Sequence, residues 1–407
     1  MQRRWLQNLL LILFGISLAA ILALLLRPYL LPPQPALPTS EAPCEPAPAA
    51  LLDYLKQVVI DVRDPCSEFY WKPAPTDEFH VLVQLNNFGL HAPSYSLAKP
   101  PGIFRILIVG DSFPQGMQVN TAETFPWRLQ QNLGQINGKQ VEVINLSIDA
   151  YGTDRELLLY AMLGWQFQPD LVLLSVYPGN DIQDNEIDLE ALRYGYRIGR
   201  PFFTLDNGVL DFHNSVQLDP TLYPDSPTFQ WLTSLQTSQT AAPSENLPDH
   251  PKVTDTNPYT LEYPVEIGVF LPEDAHWQNA WTITNALLLQ FRNVVKLSHV
   301  PFAAFIIPDR RAIHRLDWQK TIDDYGGVLP DLQNADPTMP ATKLETFLTE
   351  NKIPVLNLTP DLLDWTYAHA DGRLYYPDDG HFTPDGHAVT AEALAQWLRD
   401  TGLLNAS

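Results

Sequence analysis

Ile106-Leu107-Ile108-Val109 is an unbroken apolar run of mostly branched side chains, and it stops at Gly110-Asp111-Ser112. Successive strand residues point to opposite faces, so a run apolar throughout must be covered on both faces. That is the situation of a strand inside a parallel sheet with helices above and below. Comparable strands are predicted at Val141–Leu146, Asp170–Val176, Phe302–Ile307 and Val355–Leu358. Helical segments separate them. Thr124–Leu133 carries Phe125, Leu129 and Leu133 at helical spacing, and Asp154–Leu163, Glu273–Leu297, Lys343–Asn351 and Pro360–Ala368 also read as helices. A last helix runs to about Asp400, with Thr383 as its cap, Pro384 at its first position and Gly402 as its stop. Strands alternating with helices predict a three-layer α/β/α sandwich with a mainly parallel sheet.

The N-terminus follows a different pattern. From Trp5 to Leu26 no charge interrupts an apolar stretch, which as a helix at about 1.5 Å per residue spans roughly 33 Å, the thickness of a hydrocarbon core. Its length, and its ending in Leu24-Leu25-Leu26-Arg27-Pro28, favour an uncleaved anchor over a signal peptide. Arg3 and Arg4 before it place residues 1–4 in the cytoplasm and the rest of the chain outside. Residues 27–68 read as a Pro- and Ala-rich linker with a short helix from Ala49 to Ile60, and 69–405 as the main domain. In an oxidising compartment Cys44 and Cys66 could form a disulfide. The chain holds 37 prolines, where about 5% of residues is usual, so its connections are stiffened. The net charge of -22 argues against nucleic acid and against an anionic membrane surface as partners of the folded domain. Between about 185 and 271 the chain is acidic, proline-rich and without a βα rhythm. It is expected to be an insertion over the C-terminal edge of the sheet, lid-like, with its middle part, 234–258, a candidate for disorder.

Three expected strand-end loops carry polar sets: Asp111-Ser112, Gly179-Asn180-Asp181 and Asp378-Asp379-Gly380-His381. A parallel sheet brings such ends to one edge. A serine nucleophile needs a base, usually His, which in turn needs a carboxylate to orient it. Negative charge developing on a carbonyl oxygen needs fixed donors, typically backbone N–H groups and an amide side chain. Each residue alone has a plain structural reading as a turn or cap; together they fit this list.

With these residues, Gly110-Asp111-Ser112, Gly179-Asn180-Asp181 and an Asp ahead of His381, the sequence resembles the SGNH (GDSL-like) hydrolase family over roughly 84–190 and 301–400. The resemblance implies a flavodoxin-like fold, with Ser112 as nucleophile and His381 as base. Its oxyanion hole would consist of the Ser112 N–H, a second backbone N–H and the Asn180 side-chain amide. The family usually has a Gly five residues after a strand-ending Asn. Here that Asn is Asn145 and the fifth residue on is Ala150, with Gly152 as the reserve donor. The acid is ambiguous as well. Asp378 gives the Asp-x-x-His form and is favoured; Asp379 gives Asp-x-His, a spacing found in some membrane-associated relatives that move acetyl groups on polysaccharides. The resemblance implies no metal or cofactor. Together with the anchor it predicts an extracytoplasmic serine esterase acting on acyl esters, with envelope polysaccharide or lipid as the expected substrate. Transfer of the acyl group to a sugar hydroxyl by the same site is the close alternative. From another class, a non-catalytic glycan-binding module on a membrane stalk would use the aromatic residues of the insertion.

Overall fold

The computed structural model describes residues 44–58, 63–73, 76–195, 199–213, 218–219, 221–237 and 263–405. The proposed anchor at 5–26 lies outside them, as does most of 234–258. Among the described residues no helix is long and apolar enough to cross a membrane.

Strands in chain order are β1 (Glu68–Trp71), β2 (Val81–Gln84), β3 (Ile103–Gly110), β4 (Gln135–Ile136), β5 (Lys139–Ser147), β6 (Leu171–Val176), β7 (Phe202–Asp206), β8 (Val209–His213), β9 (Phe302–Ile306) and β10 (Val355–Asn357). Six of them form one sheet in the order β10-β9-β6-β3-β5-β4, parallel except for the short antiparallel edge strand β4. The central apolar run lies in β3 and divides its side chains as expected. Ile106 and Ile108 face a core with the Phe125–Leu133, Thr359–Ala368 and Pro384–Thr401 helices. Leu107 and Val109 face a second core with the Thr153–Met162, Ala275–Leu297 and Met339–Glu350 helices. Each of these four side chains is fully buried, worth about 1.5–3 kcal/mol apiece relative to exposure.

The chain leaves β3 toward β5 on one side, then returns to add β6, β9 and β10 on the other. The order therefore reverses at β3, and the loops after β3, β5 and β6 leave from adjacent strand ends. Open α/β sheets bind ligands at such a crevice. The last helix starts as predicted, with the Thr383 hydroxyl accepting the Gly386 N–H at 3.3 Å, and ends at Gly402 in the left-handed region. That start fixes the turn carrying His381.

Three expectations need correction. The compact unit begins at Cys44, not near 69: Cys44 is bonded to Cys66, and the Ala49–Val58 helix buries Leu51, Leu52 and Leu55 in the larger core. The last part of the predicted linker is thus folded, because three leucines are enough to dock a short amphipathic helix. The passage after it, which shows no clear pattern in sequence, forms the β1–β2 hairpin. The 185–271 insertion also has order where it is described. Helices occur at Ile187–Tyr194 and Pro227–Thr237, and β7–β8 is an antiparallel hairpin turning at Asn207-Gly208, both at positive φ. Asn-Gly between two apolar runs is a hairpin signal in its own right. The β7–β8 hairpin, with Phe203 and Phe212 buried, packs against the Thr153–Met162 and Ala275–Leu297 helices.

Candidate active site

Ser112 is the first residue of a four-residue helix directly after β3. Its N–H has no intrahelical acceptor at that position, so it remains available to a ligand. Asp111 caps the same helix, accepting the Phe113 N–H at 3.1 Å. The turn is tight: a Cβ on Gly110 would come within 2.6 Å of the Pro114 ring and 2.7 Å of Ser175, so only glycine fits there.

His381 Nε2 lies 2.7 Å from Ser112 Oγ, and its Nδ1 lies 2.7 Å from Asp379 Oδ1. The carboxylate takes the Nδ1 proton in a hydrogen bond, which leaves Nε2 as the acceptor for the serine hydroxyl. Asp379 therefore occupies the place for which the sequence favoured Asp378. Asp378 is exposed, and it meets Glu78 through its backbone N–H. The physical reason is the turn. Gly380 has φ 88 and its N–H bonds back to the Tyr376 carbonyl at 3.0 Å, folding the segment so that the acid two residues before the histidine meets the ring. The Phe113 ring braces the imidazole, with centroids 5.1 Å apart.

A second histidine nearby, His387, is fully inside the protein. Its Nδ1 accepts the Phe125 N–H at 3.1 Å, and burial pushes its pKa down to about 3. His91 likewise bonds the Gln115 carbonyl and the Thr121 hydroxyl, each at 3.0 Å, and burial pushes it down to about 4. Both are neutral supports of the segment after Ser112, whereas His381 is the histidine bonded to the serine hydroxyl.

The expected oxyanion donors follow β5 and β6, the two strands flanking β3. Asn180 is buried, with its amide in a long 3.4 Å contact to Asp184 Oδ2 and its side chain also bonded to the Asp111 carboxyl group. Ala150 has φ 60, the left-handed conformation that glycine adopts freely and alanine adopts at a cost of about 1–2 kcal/mol. The backbone shape of a glycine is thus kept without the glycine. Gly152 instead caps the Thr153–Met162 helix, packed so closely on Asn185 that a Cβ would lie 2.8 Å from its Oδ1. Ala150 is half-exposed, whereas Gly152 is buried. Asn145, two residues before the end of β5, donates its amide to the Pro114 carbonyl at 2.7 Å, tying that strand to the helix that begins at Ser112.

Beneath Ser112 lies a buried acidic floor. Asp111, Glu156 and Asp181 are all buried, and burial is the first cause raising each of their pKa values, Asp111 to about 6. Mutual repulsion adds to the rise in Glu156 and Asp181. Beside them Arg200 reaches both Asp154 and Glu190, and Arg155 donates to Glu190 at 3.0 Å. Asp111 and Asp181 belong to the Gly-Asp-Ser and Gly-Asn-Asp motifs, but nothing in the sequence marks Glu156 as their neighbour. As for metal ligands, Glu186, Asp188 and His276 offer ligand atoms within 4.8 Å of one another. Glu186, however, already accepts the Asp188 and Leu189 N–H groups and the Asn279 amide, so it serves a helix start.

No protein-family model matches the sequence, and no curated protein is found similar to it. Solved structures similar to it include a catalytic mutant of an acetylxylan esterase from Geobacillus stearothermophilus, at 10% identity and TM-score 0.36, covering 72% of this chain and 94% of the other. A GDSL-like lipase from Bacteroides thetaiotaomicron is similar at 12% identity and TM-score 0.33, over 75% and 93% of the two chains. A two-domain esterase active on acetylated mannans is similar at 9% and TM-score 0.36, over 73% and 49%. TM-scores below 0.5 at such identities do not establish a shared fold, so the functional reading rests on side-chain geometry.

Proposed function

We propose that this protein is a serine esterase of SGNH type, held outside the cytoplasm by the apolar segment at 5–26. The observation that carries the reading is the continuous chain from Ser112 Oγ through His381 to Asp379, with 2.7 Å at each link. Ser112 Oγ attacks the ester carbonyl carbon while His381 Nε2 takes its proton. The resulting imidazolium is held by Asp379, and the oxyanion is held by the N–H groups of Ser112 and Ala150 with the Asn180 amide. His381 returns the proton to the departing alcohol, leaving an acyl-serine. Water then attacks, losing its proton to His381, and the acid is released as Ser112 regains its hydrogen. The bond between Cys44 and Cys66 supports an oxidising compartment, and with the anchor it supports acyl groups on envelope polysaccharide or lipid as substrate.

A second reading passes the acyl group to a sugar hydroxyl in place of water. The Asp379-x-His381 pairing favours keeping it, since that spacing occurs in polysaccharide acetyl-transferring relatives of the resembled family.

The test compares full-length wild type with Ser112→Ala for labelling by a fluorophosphonate probe and for turnover of p-nitrophenyl acetate, with and without an acceptor glycan. Labelling and turnover lost together in the variant support the esterase. Acylated glycan as the main product supports transfer. A folded wild-type protein that binds glycan but never labels would replace both with a binding module.

A further inference from the structure

The turn that presents Asp379 and His381 is held by more than its own backbone hydrogen bonds. It is gripped by a side chain from the N-terminal hairpin, well outside the motifs. Glu78 lies just before β2, and its carboxylate accepts two successive backbone N–H groups of the turn. Oε1 takes that of Asp378 at 3.0 Å and Oε2 takes that of Asp379 at 2.8 Å. From the other side Arg310 donates to the Pro377 carbonyl. Donors and acceptors of the turn are thus met by opposite charges, and charge-assisted bonds of this kind are about twice as strong as neutral ones.

The hairpin is seated firmly enough to act as a support. Phe79, next to Glu78, lies 5.0 Å from the Tyr376 ring at the base of the turn. Val81, Val83 and Leu85 bury against Met117, on the segment that leaves Ser112. One element therefore touches both the nucleophile's segment and the acid–base turn, and so sets the gap between them. A shift of about 1 Å in such a gap costs on the order of 100-fold in rate.

We propose that Glu78 is a positioning residue for the acid–base pair, clamping the Asp378–Asp379 backbone so that His381 stays within hydrogen-bond reach of Ser112. This rests on the serine-esterase reading, which the Ser112→Ala comparison decides separately. Glu78 touches no reacting atom. Its loss acts through Asp379 and His381, so the chemical step suffers while substrate binding does not.

Full-length wild type, Glu78→Gln and Glu78→Ala are compared, with kcat expressed per active site titrated by the fluorophosphonate probe and unfolding followed by Tm. Titration counts only folded, competent sites, so unfolding alone leaves the normalised kcat unchanged. Glu78→Ala is expected to lower kcat per site by about 10–100-fold with KM within about 3-fold. Glu78→Gln keeps one carbonyl oxygen for the two N–H groups and is expected to fall between the other two. A Glu78→Ala protein whose normalised kcat stays within about 2-fold of wild type overturns the proposal, whatever its Tm. A loss confined to KM overturns it as well. If wild type itself is not labelled, the esterase reading fails first, which is a different result from a labelled enzyme indifferent to Glu78.

Discussion

On one side of Ser112, Asp379 is partly open to solvent, with 16% of its side chain exposed, and meets a histidine that is 27% exposed. On the other side Asp111, Glu156 and Asp181 lie within the protein. Both regions are rich in carboxylates, yet they are supported in opposite ways. The more open Asp379 has the His381 ring and, through its backbone, Glu78. In the floor, both Glu156 oxygens and Asp181 Oδ1 are buried with no hydrogen-bond partner among the described residues. A carboxyl group pressed among other buried acids favours its protonated form. Proximity to Ser112 therefore does not tell these two kinds of carboxyl group apart; environment does.

The comparison breaks most visibly at the open side. Asp379→Ala is expected to lower kcat by roughly 10²–10⁴-fold, while Asp378→Ala stays within about 3-fold. Steady-state kinetics on the two variants checks this, and equal losses would mean that the turn can present either acid. In the floor the expected loss is of folding. Arg200 is fully buried between Asp154 and Glu190, so Arg200→Met leaves both carboxylates short of a partner and is expected to cost about 3–5 kcal/mol, read from denaturant unfolding. A cost below about 1 kcal/mol would show that Arg155 alone carries Glu190.

The smallest effect is the sharpest probe of the protonated state. The folded-state pKa of Glu156 is raised by burial first, then by Asp181 and Asp111. Above the ordinary value of 4.5 the folded state keeps a proton that the unfolded chain gives up, so stability falls as pH rises through this window. A glutamine at this position does not titrate. Glu156→Gln is therefore expected to gain in Tm over wild type by an amount that widens as pH rises above about 4.5. A constant offset would mean that Glu156 is ionised throughout.

Much of the architecture could be read in the chain. The run at Ile106–Val109, apolar on both faces, requires cover on both sides, and the helical spacing of Phe125, Leu129 and Leu133 supplies part of it. Thr383, Pro384 and Gly402 bound the last helix because their local chemistry is sufficient to do so. The β7–β8 hairpin was legible too, in Asn207-Gly208, but proline and acidic residues around it obscured the signal. The hairpin that carries Glu78 left no such mark, since four-residue strands of mixed polarity are defined by what they pack against.

The amino-acid sequence by itself determined which residues could do chemistry: a serine at a strand end, a histidine before a capped helix, and an asparagine in a third loop. These follow from short-range rules of period, turn and cap, which act over a few residues. Only the tertiary structure decided which acid meets the histidine and which loop residue takes the left-handed backbone. It also decided which distant glutamate grips the turn. Those choices depend on the hand of one glycine turn, the left-handed backbone at Ala150 and the docking of a hairpin 300 residues upstream of the turn it holds. Side-chain contacts of that range have no local signature, because they are set by where the sheet's order reverses and not by neighbours in the chain.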